Sequence, residues 1–227
     1  MLSFIEIYRS IQGESSFTGM PCTFVRLAGC NLRCNWCDSE YTFSGGKRMS
    51  ESDILAEVQR LSPAGLVEIT GGEPMLQERE LIPLMRRLLE LGYRVLIETS
   101  GERPLANVPQ AVHKIVDVKC PDSGEGATFR MENMKALTPI DEIKFVIASR
   151  KDYDFAREFT REHGLDEKVN AVTFSPAFRK DATGTRDASH CLIDPREVAD
   201  WIVADGLNVR LGLQIHKFIW DPATKGV

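Results

Sequence analysis

Cys30, Cys34 and Cys37 fall in the run Ala28-Gly29-Cys30-Asn31-Leu32-Arg33-Cys34-Asn35-Trp36-Cys37-Asp38, with the spacing C-x-x-x-C-x-x-C. Three thiolates on one short loop can bind three corners of an iron-sulfur cube, whereas a site that only holds a fold usually has four protein ligands, for a cube or for zinc. The remaining iron would keep an open coordination position, and open positions are where metal sites do chemistry. A zinc knuckle completed by Cys22 or a distant His is the competing reading, but no fourth ligand stands at zinc-finger spacing. Three thiols buried as small hydrophobes are a further alternative. Gly29, Asn31 and Asn35 suit a tight loop wrapped around a ligand.

The rest of the chain must hold this loop. With 227 residues, 43% hydrophobic and 27% charged, it reads as one soluble globular domain. No apolar run is long enough to span a membrane, and the N-terminus meets a charge at Glu6, unlike a signal peptide, so a cytoplasmic enzyme without membrane contact is expected. A net charge of -5 argues against direct nucleic-acid binding, which needs a basic surface. Cys22, Cys120 and Cys191 read as free thiols.

Apolar stretches at 23–28, 66–70, 94–99, 114–119, 142–147, 169–174 and 208–215 predict strands. Helical patterns fall between most of them. Ser50 opens the first like a capping box, and the second runs over about 80–91 to Gly92. Asp152 is the expected start of the third, and Asp194-Pro195 opens the last. Strands alternating with helices predict a mostly parallel sheet, whose chemistry collects at the C-terminal strand ends. The cysteine loop follows the first strand. Thr70-Gly71-Gly72-Glu73-Pro74 follows the second, where glycines allow close backbone approach to a ligand, although alone it would read as a plain turn. Glu98-Thr99-Ser100-Gly101 ends the third, a polar turn facing the same region. The segments 121–128 and 179–189 read as polar, mobile loops.

With Trp36 just before its third cysteine, the loop resembles the signature of the radical S-adenosylmethionine enzymes. The resemblance implies a 4Fe-4S cluster on Cys30, Cys34 and Cys37 whose open iron chelates S-adenosylmethionine, and whose electron splits the sulfonium to a 5′-deoxyadenosyl radical. It also implies an α/β fold, a partial (β/α)6 barrel in a single domain. In this reading residues 1–22 bind substrate, 23–220 form the barrel core, and a short C-terminal tail follows. Gly71, Gly72 and Glu73 resemble the family's GGEP motif. Trp36, Cys37, Asp38, Gly101, Asp117, Val118, Lys119, Phe174, Ser175, Pro176 and Ala177 match stretches that contact S-adenosylmethionine in relatives.

Ser10-Ile11-Gln12-Gly13-Glu14, Arg26 and the tail Leu213-Gln214-Ile215-His216-Lys217-Phe218-Ile219-Trp220 resemble, nearly end to end, the 7-carboxy-7-deazaguanine synthase family. Its members turn 6-carboxy-5,6,7,8-tetrahydropterin into 7-carboxy-7-deazaguanine, on the route to queuosine and related deazapurines. The resemblance implies hydrogen abstraction at C6, ring contraction, loss of ammonia, and recovery of the adenosyl hydrogen. It places substrate on Ile11, Gln12, Gly13, Glu14, Arg26, Thr99, His216, Lys217 and Pro222. An amide and a carboxylate suit the donors and acceptors of an aminopyrimidinone edge, and Arg26 can grip a carboxylate through two hydrogen bonds. Read alone, Gln12 and Glu14 equally suit a solvated loop, and Arg26 an outward strand face. Ser39 is implied as a Mg2+ ligand, flavodoxin or ferredoxin as reductant, and a homodimer as the assembly. The family often has glycine where this chain has Ser15. A glycyl-radical enzyme activase shares the cysteine motif and is the alternative enzyme reading. His113, His163 and His190 carry no recognisable metal or catalytic spacing.

Overall fold

Alternation along the strands decides this architecture. In β-structure successive side chains point to opposite faces, and here one face meets helices while the other lines a cavity. The computed structural model describes residues 1–62 and 65–227. Its elements are β1 (Leu2–Ile11), β2 (Pro21–Leu27), β3 (Lys47–Met49), α1 (Glu51–Leu61), β4 (Leu66–Gly71), α2 (Glu78–Glu90), β5 (Arg94–Thr99) and β6 (His113–Asp117). There follow β7 (Glu142–Ile147), α3 (Arg150–His163), α4 (Leu165–Lys168), β8 (Ala171–Pro176), α5 (Pro195–Asp205), β9 (Arg210–Leu211) and α6 (His216–Ile219). One sheet takes the order β3-β1-β2-β4-β5-β6-β7-β8-β9. From β2 to β9 every pairing is parallel, while β1 runs antiparallel to both β2 and β3. The two edges, β3 and β9, do not pair with each other, so the barrel stays open, as the predicted partial barrel requires.

The outer face carries Val25, Leu27, Val67, Ile69, Val95, Ile97, Val116, Ile143 and Phe145 in one core cluster with the helices. Helix α2 contributes Leu81, Leu84, Met85 and Leu88, all fully buried, each stabilising by roughly 1.5–3 kcal/mol on burial. Inside the barrel a smaller cluster of Cys22, Phe24, Leu66, Leu96 and Ile115, with Tyr8 and Phe17 against it, fills the end where the parallel strands begin. Two residues farther along β2, β4, β5 and β6 the inward positions become charged, at Arg26, Glu68, Glu98 and Asp117, and Lys144 on β7 pairs with Asp117 at the same level.

Several boundaries differ from expectation. β1 and β3 lie in segments not predicted as strands. A bulge between Phe4 and Glu6 interrupts the register of β1, which blurs its alternation. The expected strand at 208–215 shrinks to Arg210–Leu211 at the sheet edge. Helix α3 is capped by Ser149, whose side chain accepts the Asp152 N–H, so Asp152 lies one turn inside. Helix α2 begins at Glu78, following directly on a 3-10 turn over Pro74–Gln77. Among the described residues the β5–β6 and β6–β7 connections carry no α-helix, so the βα repeat is incomplete. No helix of the described residues is long and apolar enough to cross a membrane.

Candidate active site

The cysteine loop is held by its neighbours through backbone and side-chain bonds. Gly29, with φ of 96°, turns the chain out of β2, and its N–H donates to Thr42 O at 2.7 Å. Asn35 N donates to Ser123 O at 2.9 Å, Asn35 Nδ2 to Asp122 O at 2.8 Å, and Arg33 N to Glu125 Oε1 at 2.6 Å. The segment 121–128 is therefore a buttress for the cysteine loop. All three thiols are half-buried and line one cavity of about 400 Å³. Burial pushes each thiol pKa up, Cys37 to about 11, so a bound metal must displace protons to recruit thiolates. Cys30 adds to the upward push on Cys34, and both add to that on Cys37. Among the described residues no three His, Cys, Asp or Glu are arranged around a single ion.

The Gly71-Gly72-Glu73 turn is packed against this loop. A Cβ on Gly72 would collide with Gly29 O and stand 2.6 Å from Cys30 Cβ, and one on Gly71 would strike the Leu27 backbone. Glycine is thus required for the cysteine loop to seat on the end of β4. The Glu73 carboxylate, 1% exposed, accepts from Met75 N (3.0 Å), Thr99 Oγ1 (2.7 Å), Ser100 N (2.8 Å) and Ser100 Oγ (2.7 Å). Its acceptor capacity is consumed tying β4 to β5, which fixes Thr99 beside the cavity.

Residues 12–20 pass beneath the barrel and supply its floor. Gln12 is buried, and its Oε1 accepts from Glu14 N (2.9 Å) and Ser15 N (3.0 Å) while Nε2 donates to Glu68 Oε2 at 3.1 Å. Most of its amide therefore shapes the loop that carries Glu14. Ser15 replaces the expected glycine without a left-handed backbone, since positive φ occurs only at glycines among the described residues. Its hydroxyl accepts Phe17 N at 3.1 Å instead. His216 covers Gly13 so closely that any Cβ there would meet its Nδ1.

Above the floor lies a ring of buried charge. Lys144 Nζ bonds Glu14 Oε2 at 2.7 Å and Glu98 Oε1, and stands 3.6 Å from Asp117 Oδ2. Asp117 Oδ2 also accepts from Lys119 Nζ at 2.8 Å. Burial opposes ionisation of Glu14, but Lys144 and His216 bring its pKa down to about 2. Burial likewise opposes the Lys144 charge, yet Glu14, Glu98 and Asp117 hold its pKa well above the usual lysine value. Glu68 has no such cation in contact among the described residues; burial and the nearby Glu98 push its pKa up to about 8, so it is mostly protonated at neutral pH. Arg26 donates through Nε to Glu6 (2.8 Å) and through Nη2 to Tyr8 Oη (2.6 Å), leaving Nη1 without a hydrogen bond among the described residues.

The cavity brings together Ile11, Gln12, Gly13, Glu14, Arg26, Thr99, His216, Lys217 and Pro222 from the predicted substrate set. From the cofactor set it adds Trp36, Cys37, Asp38, Gly71, Gly72, Glu73, Asp117 and Lys119. Val118 and Phe174 point into the helix-facing core instead, because strand alternation turns them away from Asp117 and Ser175. Gly101, Ser175, Pro176 and Ala177 also lie outside the cavity wall. At Gly101 a Cβ would press on Phe129 at 2.8 Å, so this glycine answers to packing. Ser39 Oγ donates to Asp38 Oδ1 at 3.0 Å, and Lys217 Nζ occupies Asp38 Oδ2 at 2.5 Å.

Sequence reasoning missed Glu68, Glu98 and Lys144 as site residues. The signal lay in charges set within otherwise aliphatic strands, at positions that register brings together: Asp117 pairs with Lys144 across β6 and β7. The donors present suit the implied cofactors. Three half-buried thiols match three corners of a cube, and Asp117 Oδ1, buried without a partner among the described residues, is an acceptor in want of a ligand donor.

Comparison with known proteins agrees with this geometry. Residues 25–122 match the Radical SAM superfamily. The 7-carboxy-7-deazaguanine synthase of Koribacter versatilis is 73% identical over 226 residues, covering 100% of both chains. That of Chlorobaculum tepidum is 39% identical, covering 100% of this chain and 97% of its own. The crystal structure of QueE from Escherichia coli shares the fold, with a TM-score of 0.72 at 24% identity over 94% of this chain and 93% of that one. Full-length identity at this level, on a cysteine loop seated over an open parallel barrel, makes the chain a member of the 7-carboxy-7-deazaguanine synthase family of radical SAM enzymes.

Proposed function

We propose that this chain converts 6-carboxy-5,6,7,8-tetrahydropterin into 7-carboxy-7-deazaguanine, with ring contraction and loss of ammonia. The observation that carries the reading is a single cavity joining three thiols, the Gly71–Gly72 turn and a floor of buried charge. When bound, a 4Fe-4S cluster on Cys30, Cys34 and Cys37 supplies the electron that converts S-adenosylmethionine into a hydrogen-abstracting radical.

The chain's own residues bind, orient and exclude water. Asp117 Oδ1 is the acceptor available to a cofactor hydroxyl or ammonium. Glu14 offers ionised acceptors to the aminopyrimidinone edge of the pterin, and Arg26 Nη1 offers a donor to its carboxylate. His216, whose pKa burial lowers, closes over Gly13. Ser39 offers a hard oxygen donor for Mg2+, which keeps waters of its own and needs few protein ligands. In this reading flavodoxin or ferredoxin delivers the electron, the working form is a homodimer, and the cytoplasm is the compartment, which six free cysteines suit.

Anaerobic incubation of the reconstituted protein with carboxytetrahydropterin, dithionite and S-adenosylmethionine tests the reading. Mass analysis should show loss of ammonia from the pterin with S-adenosylmethionine regenerated. Adenosylmethionine cleavage without any pterin product would overturn it.

A further inference from the structure

Lys144 is almost wholly enclosed by the site and is absent from every motif above. It is 4% exposed, at the third position of β7, and its ammonium is shared between carboxylates from three other elements: Glu14 beyond β1, Glu98 on β5 and Asp117 on β6. Glu68 on β4, Lys119 beyond β6 and His216 on α6 complete the titratable groups that face this cluster. The two nearer carboxylates keep 19% and 23% of their side-chain surface open, and both line the cavity. Glu14 spends its other oxygen on Gln214 Nε2 at 2.7 Å, whereas Glu98 Oε2 has no hydrogen bond among the described residues.

We propose that Lys144 is a specificity-determining positioning residue: it holds Glu14 and Glu98 side by side as acceptors, so that the floor selects a ring edge bearing adjacent N–H donors. This rests on the pterin reading above and extends it. Without the ammonium, like charges on Glu14, Glu98 and Asp117 crowd one buried space, and a carboxylate so placed takes up a proton. A protonated carboxyl presents an O–H where the ligand also presents N–H, and the match is lost. With the ammonium in place, a ring whose 2-amino group is replaced by a carbonyl sets acceptor against acceptor.

The test is equilibrium binding to the cluster-loaded protein of 6-carboxytetrahydropterin and its 2-oxo analogue, the corresponding lumazine. Wild type should prefer the amino compound by at least about 100-fold, as expected of a site built to receive a buried donor. Lys144→Met should weaken pterin binding by about 30-fold or more and bring the preference below about tenfold. Glu98→Gln, nearly isosteric and less perturbing, should also bring the preference below about tenfold, and decides the matter if Lys144→Met does not fold. Wild-type discrimination retained in the folded variants overturns this inference alone. Failure of wild type to bind the pterin overturns both the inference and the substrate reading beneath it.

Discussion

Glu142, the first residue of β7, clasps Ser16, two residues beyond Glu14 in the floor loop. Ser16 N donates to the two carboxylate oxygens at 3.2 and 3.1 Å, and Ser16 Oγ donates to Oε1. His113 Nε2 meets the same carboxylate at 2.7 Å, and the Phe17 ring stands edge-on to His113 at 5.0 Å. Serine, histidine and carboxylate here do not form a hydrolytic triad. The carboxylate lies between the other two, and His113 makes no hydrogen bond to the hydroxyl among the described residues. The arrangement is a latch that fixes the loop carrying Glu14 to the foot of the barrel.

Glu142→Ala should therefore loosen the floor without touching the cysteine loop. Losing a buried carboxylate that satisfies three donors costs about 2–3 kcal/mol, or roughly 4–12 °C in melting temperature for a chain of this size. Pterin binding should weaken while iron content after reconstitution stays at the wild-type level. Burial raises the Glu142 pKa, but the His113 and Ser16 bonds outweigh it and hold the pKa down. A depressed carboxylate contributes stability above its unfolded pKa and loses it as pH falls through the folded one. The gap in melting temperature between wild type and variant should accordingly close in acid. A gap that is constant with pH would count against the latch.

Glu68 gives the opposite pH dependence. Burial, seconded by Glu98, raises its pKa from 4.5 to about 8. Its contribution is thus fully present below pH 4.5 and is lost as pH rises through about 8. Glu68→Gln keeps the shape of the protonated acid and cannot ionise. Relative to wild type, the variant should gain melting temperature as pH rises from about 4.5 to about 8, by about 2–4 °C for each 1 kcal/mol recovered. Parallel melting curves from pH 6 to 9 would show that Glu68 is already ionised at neutral pH.

The elements legible in the sequence were those with local signals. The cysteine spacing, the Gly71-Gly72 turn and the caps at Ser50 and Asp194 each occupy a few adjacent residues, and the last two bond as expected to Asp53 N and Arg196 N. Beyond Glu14 and Asp117 the charged floor was not legible, because its members are polar residues set inside strands that scan as aliphatic. Only the register of β4 to β7 shows that Glu68, Glu98, Asp117 and Lys144 share one face. Gln12 was legible as important but not as a loop former, since its partners Glu14 N and Ser15 N depend on how the loop closes.

Gly72→Ala probes the contact between β4 and the cysteine loop. The new Cβ would overlap backbone at Gly29 and crowd Cys30 Cβ, and neither is the end of a flexible side chain. Displacing packed backbone costs about 1–3 kcal/mol. The loop should shift, and reconstituted iron content should fall well below wild type. Gly92→Ala is the control, because no atom lies within 4 Å of a Cβ there, although its φ of 83° carries a strain of its own. Equal iron content in the two variants would dissociate the glycine from cluster seating.

Cys34→Ala separates the fold of the loop from its ligand chemistry. Asn35 and Arg33, on either side of Cys34, are anchored to Ser123, Asp122 and Glu125 without help from any thiol. The protein's own hydrogen bonds hold the loop, so removal of one half-buried sulfur should leave the circular dichroism spectrum unchanged and shift the melting temperature of the metal-free protein only slightly. A cube left with two thiolates loses a corner ligand, and the variant should fail to retain iron and sulfide through gel filtration, with loss of the brown absorbance. Wild-type iron retention would remove Cys34 from the ligand set. Unfolding of the metal-free variant would instead show that the loop depends on its sulfur, contrary to the anchoring seen at Asn35 and Arg33.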